Sequence, residues 1–354
     1  MNQPMDPRLA EETERLHRSW MQHRPEMLRD YLVADVQDPL LNVQSIQGRH
    51  FLIEALCGDR YAPLHQEELR FAVVMHWLVE LLKDASDIEQ LQAVLHALRQ
   101  HADDAEGMPV PVYVRHAFAD LPRTLSGATV PNYLADFLEG ARPEQGRLQP
   151  CEESRRVFEK IWWHVLENEK PDRAPVLEAA CGSANDYRCF ESFGLARLMG
   201  YTGFDLCETN IANARAMFPG ARFEVRNVFD TGYADKSVDY GLAHDLLEHL
   251  SLEGLEVAVA ELCRVTRKAM CIGFFQMHEG EEHIVRQIEE YHINTLSLPR
   301  VRELFARFNA TVQAVHINTF LNRQFGCEGF YNDQAYTITV AFPSATSGKA
   351  AGLN

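Results

Sequence analysis

The chain has 354 residues, 46% of them apolar, which supplies core for one large domain or two ordinary ones. Its formal charge of −17, from 51 acidic against 34 basic residues, argues against a broad basic face that grips nucleic acid. No run of about 18 apolar residues offers a membrane span, and the polar, acidic start does not suit a signal peptide. Eight cysteines without a CxxC pair read as free thiols in a reducing, cytoplasmic compartment.

Residues 1–101 predict helices. Leu9, Leu16 and Trp20 open one that Pro25 interrupts. Phe71, Val74, Met75, Leu78, Leu81 and Leu82 follow helical spacing. Ser86 and Glu89 form a capping-box start ahead of Leu91, Val94, Leu95 and Leu98. Between 102 and 150, Pro109, Pro111, Pro122, Pro131, Pro143 and Pro150 cut the chain into short pieces. The aromatic residues Tyr113, Phe118, Tyr133 and Phe137 imply that this stretch packs on something. Glu152 to Asn168 reads as one more helix.

From Ala174 the pattern alternates strand and helix. Strands are predicted near 175–179, 201–205, 222–226, 238–243 and 269–275, and helices near 186–198, 209–217, 252–266 and 298–308. Ser297 is the expected N-cap of the last helix. Two more strands, near 311–317 and 335–342, close the chain with no clear helix between them and so predict an antiparallel hairpin. This arrangement implies a mainly parallel sheet with helices on both sides. The expected organisation is an all-helical N-terminal domain over 1–150, an α/β domain over 151–343 and a disordered tail over 344–354.

The chemistry gathers at the ends of the predicted strands. The first strand runs into Glu178-Ala179-Ala180-Cys181-Gly182-Ser183-Ala184, a turn of small residues that lets a ligand approach the backbone. The second strand ends in Asp205, 23 residues after Gly182, the spacing at which a Rossmann-type sheet offers a carboxylate to ribose hydroxyls. The third runs into Asn227-Val228-Phe229-Asp230, where an amide could read the edge of an adenine. The fourth runs into His244-Asp245-Leu246-Leu247-Glu248-His249-Leu250.

Together these pieces resemble the class I S-adenosylmethionine (SAM) methyltransferase family over about residues 172–342. The turn matches the family's nucleotide turn, Asp205 its ribose-binding acid, and Asn227 the place of an acid near the adenine. Val238-Asp239 and Leu247-Glu248-His249-Leu250 match its fourth-strand signature, and Glu261-Leu262-Cys263-Arg264-Val265 the helix before its fifth strand. The resemblance implies a Rossmann-like sheet of five parallel strands plus a C-terminal antiparallel hairpin. It implies SAM as co-substrate, held by Glu178, Ala180, Gly182, Asp205, Leu206, Asn227, Val228 and His244, with Glu178 toward the methionine amine. Ala180 and Ala184 replace two family glycines, so an altered turn is expected, because alanine takes a positive φ only at a cost. A dehydrogenase fingerprint would need Gly-x-Gly-x-x-Gly, and Gly182 stands alone.

His278-Glu279-Gly280-Glu281-Glu282-His283 has its histidines five apart, not the four that one helix face requires for a metal, so it reads as an exposed acidic loop and no metal is expected. Cys181 reads as a packing residue of the turn. Of Phe274 and Phe275, alternation allows one to face the core and one the pocket. His244, Asp245 and Tyr291 are the catalytic candidates, with His278 and His292 as further contacts near the sulfonium, and each fits a structural role equally well. The implied reaction is methyl transfer to a small metabolite in bacterial secondary metabolism, under a helical lid whose 109–137 section meets SAM. An alternative within the fold is self-alkylation, in which the α-amine of an enclosed SAM displaces methylthioadenosine and gives azetidine-2-carboxylate, as in a few enzymes of non-ribosomal peptide pathways. A third reading is a non-catalytic SAM-binding protein. A small-molecule substrate is the expected partner, with neither nucleic acid nor membrane, and the apolar helical faces leave room for a homodimer.

Overall fold

The computed structural model describes residues 6–19, 41–84, 104–105, 108–109, 111–114, 123–140, 142–144, 147–149, 152–288 and 291–343. The predicted break at Pro25, the helix after the Ser86–Glu89 capping box and the tail from Ser344 lie outside them.

Short apolar runs bounded by turn residues become strands, the central ones buried on both faces and the two edge strands partly exposed. They are β1 (Ala174–Ala179), β2 (Met199–Asp205), β3 (Arg222–Val225), β4 (Val238–His244), β5 (Thr266–Phe274), β6 (Thr311–His316) and β7 (Tyr336–Ala341). They form one sheet of order β6-β7-β5-β4-β1-β2-β3. Neighbours from β5 through β3 pair in parallel, whereas β7 runs antiparallel to both β5 and β6. The reversal at β1, where the chain winds first to β2 and β3 and then back to β4, leaves a crevice at the C-terminal strand ends. The last two strands do pair antiparallel, but not as a hairpin. A helix, Ile317–Phe325, intervenes, with Ile317 and Leu321 buried and Gly326 in the left-handed region at its end.

The helices of the front half are α1 (Pro7–Ser19), α2 (Val43–Cys57), α3 (Ala62–Asp84), α4 (Tyr133–Gly140) and α5 (Val157–Leu166). Behind the strands come α6 (Asn185–Ser192), α7 (Glu208–Met217), α8 (Leu252–Val265), α9 (Leu298–Ala306) and α10 (Ile317–Phe325). Ser297 caps α9, accepting from the Arg300 N–H at 3.3 Å. The front half is not all helical. Short strand pairs at Arg123–Leu125/Ala128–Val130 and Arg142–Glu144/Arg147–Gln149 break it, the first turning on Ser126 and Gly127 at positive φ. No described helix is long and apolar enough to cross a membrane.

One apolar cluster joins α2, α3, α5 and α6 to one face of the sheet, and a second joins α1, α8 and α9 to the other. The front helices thus share a core with the α/β part. The α2 helix starts at Asn42, whose side chain accepts from the Ser45 N–H at 3.0 Å. One turn in, the buried Gln44 amide donates to the carbonyls of Phe274 (3.0 Å) and Tyr336 (2.9 Å), which pins α2 across the ends of β5 and β7. Lower down, the buried Arg49 pairs with Glu68 of α3 at 2.8 Å, and the Trp162 indole of α5 donates to the same carboxylate at 2.6 Å. Removing one member would strand a buried charge, so three helices are fixed together. Within the proline-broken stretch, Tyr133 packs on Phe71 and Phe158, with ring centroids 4.9 and 6.1 Å away.

Between β1 and α6 the chain turns through Ala180 (φ 55°), Gly182 (52°) and Ala184 (70°). Both alanines therefore hold the left-handed conformation that costs an L-residue roughly 1–2 kcal/mol. The expectation of an altered turn is not met in the backbone, which keeps a glycine-like path and carries the strain. We predict that Ala180→Gly stabilises the fold by about 0.5–1 kcal/mol, read as a higher urea midpoint at constant slope, since glycine adopts this φ freely. A lower midpoint would contradict the turn geometry.

Candidate functional site

The turn is held from beneath by β2. The Cys181 N–H donates to the Phe204 carbonyl at 3.0 Å. The two carboxylate oxygens of Asp205 accept from the Gly182 N–H (3.0 Å) and the Cys207 N–H (2.7 Å). Asp205 is buried, and burial raises its pKa while these backbone donors oppose the rise. The sequence reading reserves this acid for ribose. Its task here is structural, tying the turn after β1 to the loop after β2. Cys181 is buried with its thiol pushed up by burial, which fits a packing residue. Gly203 makes this possible, because a Cβ there would lie 2.9 Å from the Cys181 sulfur.

Above the turn lies a narrow, partly open cavity of about 50 Å³. Ala180 forms one side, Phe204, Asp205, Leu206 and Cys207 the floor, and Arg226, Asn227 and Val228 the far wall. Leu246 and Leu250, from the segment after β4, close a third side, and Leu16 and His17 of α1 form the roof. Of the predicted cofactor residues, Ala180, Asp205, Leu206, Asn227 and Val228 line one space, whereas Glu178, Gly182 and His244 are not part of its lining. The 109–137 section expected to meet SAM contributes nothing to this lining among the described residues, and α1 takes that place. Its Glu12 is buried and accepts from the Ser251 N–H (2.7 Å) and Oγ (2.5 Å). Thr13 Oγ1 accepts from the Asn227 side-chain amide at 2.8 Å. Because Asn227 Oδ1 also accepts from the Phe229 N–H at 2.9 Å, the amide expected to read an adenine edge is engaged at both ends.

Glu178 sits below the turn, buried, and accepts from Tyr201 Oη at 2.5 Å. Burial first, and then the negative charge of Asp186, push its pKa up to about 8. Asp186, at the start of α6, holds His244 Nδ1 at 2.5 Å. Burial works against both charges, yet each stabilises the other, so Asp186 is lowered and His244 lies well above the ordinary histidine range. The ring is wedged between two glycines. A Cβ on Gly48 of α2 would lie 2.9 Å from its Cε1, and one on Gly273 of β5 2.6 Å from its Cδ2. Nε2 is enclosed, and Cys271 lies beside the ring. His244 thus serves as a buried charged link from α6 to β4 under α2, a geometry that does not suit a base with an open nitrogen.

The three catalytic candidates therefore separate. His244 faces α6, whereas Asp245 and Tyr291 meet at His249. Asp245 Oδ1 lies 2.9 Å from His249 Nε2, and the Tyr291 ring stands edge-on to that imidazole at 6.1 Å. His249 also keeps Nδ1 2.9 Å from the His292 carbonyl. In the loop beyond β5, His278 Nδ1 accepts from the Gly280 N–H (3.1 Å) and His283 Nδ1 from the Ser297 N–H (3.0 Å), so both serve the loop's own shape. Phe274 is fully buried and Phe275 half-buried, the split that alternation allows. Sequence reasoning missed Asp186, Tyr201, His249 and the α1 residues. Asp186 carried a signal, being a titratable residue within one turn of the Glu178–Ala184 motif, and His249 stood inside the quoted Leu247–Leu250 motif without being given a role.

Residues 177–270 match the family model described as methyltransferase domain. No curated protein matches the chain. Solved structures that resemble it include a magnesium protoporphyrin IX methyltransferase from Synechocystis PCC 6803 with bound SAM, at 13% identity, 51% of this chain, 75% of that chain and a TM-score of 0.35. A SAM-dependent methyltransferase from Methanosarcina mazei gives 14%, 51%, 97% and 0.38. The Burkholderia thailandensis 1,6-didemethyltoxoflavin-N1-methyltransferase gives 16%, 53%, 77% and 0.38. Residues 177–270 are thus similar to a methyltransferase domain, and the sheet that carries them has the fold of the class I SAM-dependent methyltransferases.

Proposed function

We propose that the chain is a SAM-dependent transferase that acts on a small metabolite, with methyl transfer as the reaction. The observation that carries this reading is the roofed cavity over the Gly182 turn. Its mainly apolar walls suit an adenine, and the Asp205 carboxylate at its floor suits ribose hydroxyls. The methionine end of SAM would then run over Gly182 toward the end of β4. In an in-line displacement the acceptor's lone pair forms the new bond to the methyl carbon while the carbon–sulfur pair moves onto sulfur. The protein's task is to hold the two partners at near-attack distance and to keep water out.

A second reading keeps SAM and removes the separate acceptor. It is favoured by α2, which lies across the ends of β5 and β7 through Gln44 and packs Gly48 on His244. A helix seated there narrows the room for an acceptor and suits self-alkylation by the SAM α-amine with release of methylthioadenosine. One experiment separates the two readings. With SAM alone, methyl transfer leaves SAM intact until an acceptor is added, whereas self-alkylation releases methylthioadenosine at once. Absence of any SAM binding at millimolar concentration by calorimetry would contradict both.

Glu178 gives a pH signature. At neutral pH it is largely protonated, because its pKa stands near 8 against 4.5 when unperturbed. If the cationic methionine end of SAM settles over it, binding favours the ionised form and expels the proton. Affinity should then rise with pH, by up to tenfold per unit below pH 8, and level off above. Calorimetric heats should vary with the ionisation enthalpy of the buffer. A dissociation constant that does not change between pH 6 and 8 would show that Glu178 does not sense the ligand.

A further inference from the structure

Beside the cavity stands a charged pair that is not part of its lining, Asp245 and His249. Asp245 follows β4 and precedes Leu246, which lines the cavity. Its backbone is left-handed, at φ 51°, and its N–H donates to the Gly273 carbonyl at 3.2 Å. The carboxylate is 54% exposed. Oδ1 is held by His249 Nε2 at 2.9 Å, and Oδ2 has no hydrogen bond among the described residues.

The partner imidazole has no lone pair to offer. The His292 carbonyl can only accept, so His249 Nδ1 carries a hydrogen. Burial opposes a second proton, but the hydrogen bond to Asp245 favours it, and the His249 pKa is pushed up to about 9. At neutral pH both ring nitrogens therefore donate. His249 cannot take a proton from a substrate, and it faces Asp245 as a donor. Glu248, fully buried next to the pair, accepts from the Phe275 N–H at 2.9 Å through one oxygen, and its other oxygen has no hydrogen-bond partner. Burial and the Asp245 charge hold it up at about 7, so it adds only part of a second negative charge.

We infer that Asp245 is the catalytic residue that receives the nucleophile, and that the nucleophile is an amine. An ammonium group finds a fixed anion with one open oxygen, and a charge-assisted hydrogen bond of that kind is about twice as strong as a neutral one. A carboxylate acceptor would meet repulsion there, and a hydroxyl would gain only the weaker bond. The ammonium passes one proton to Asp245, which is open enough to release it to water. The freed nitrogen lone pair then forms the nitrogen–carbon bond, and the carbon–sulfur pair stays with the sulfur as a neutral thioether leaves. Two sources supply such an amine: a separate small-molecule acceptor, or the α-amine of SAM itself.

The inference rests on the SAM-transferase reading, and one set of measurements keeps the two apart. The full chain is first titrated with SAM by calorimetry, then incubated with SAM alone and with SAM plus panels of primary amines, phenols and carboxylic acids. Methylthioadenosine from SAM alone identifies SAM's own amine as the nucleophile, and S-adenosylhomocysteine formed only with added amines identifies a separate one. Either result supports the inference. Asp245→Asn, which tolerates the same left-handed backbone, should melt like the parent and lower kcat by about 100-fold or more. Asp245→Glu, which restores the charge, should recover part of it. Loss of SAM binding in the parent protein would overturn the reading and the inference together. With SAM bound, turnover on phenols or carboxylic acids equal to that on amines, no turnover with any amine, or an Asp245→Asn rate within threefold of the parent would overturn the inference alone.

Discussion

The crevice depends on one carboxylate. Asp205 ends β2, and its two oxygens hold the N–H groups of Gly182 and Cys207, one on the turn after β1 and one on the loop after β2. These loops come from adjacent parallel strands and would otherwise diverge. A buried charge satisfied by backbone donors holds them at fixed separation, and leaving it unpaired would be costly. The gap it maintains is the floor of the cavity. Gly203 lets Cys181 sit close beneath the turn, and the two alanines accept left-handed backbone so that the chain passes over the same point. Strain of this size persists only where the surroundings fix the conformation, and Asp205 is the group that fixes it.

Around that point the ionisable groups divide into two sets with different tasks. Beneath the turn, Glu178, Tyr201, Asp186 and His244 form a buried network in which one carboxyl is held protonated and another is neutralised by an imidazolium. Such a network joins β1, β2, β4 and α6 beneath the turn. On the outer side, Asp245 and His249 form a pair with an exposed face. The division falls at the end of β4, where His244 is the last strand residue and Asp245 leaves the strand through a left-handed turn. His244 packs against Gly48 of α2, whereas Asp245 pairs with His249.

Much of this was legible in the sequence. The parallel strands lie within a few residues of their predicted spans, because a buried strand needs a continuous apolar run and a turn at each end. The turn and its partner acid were readable because their separation in sequence reflects one strand–helix–strand unit. What escaped has identifiable causes. The helix at Ile317–Phe325 shows apolar residues at 317, 321 and 325 and a terminal Gly326, but its mixed Asn and Thr content hid it between two clear strands. The hairpin at Ser126-Gly127 was marked by its turn residues and was masked by the prolines nearby. The role of α1 was beyond reach for another reason. Thr13 and Asn227 are 214 residues apart, and no local pattern predicts a contact of that range.

With α1 as its roof, the cavity gives the account a definite form that can be contradicted. The central claim is that a SAM-type nucleoside binds over the Gly182 turn between Asp205 and α1. A crystal structure of the protein with S-adenosylhomocysteine tests it most directly. The account predicts the adenine between Leu206 and Val228 under Leu16, the ribose hydroxyls on Asp205, and the amino-acid end crossing Gly182 toward Asp245. A nucleoside bound elsewhere, or a cavity left empty at saturating ligand with the Thr13–Asn227 contact intact, would contradict it.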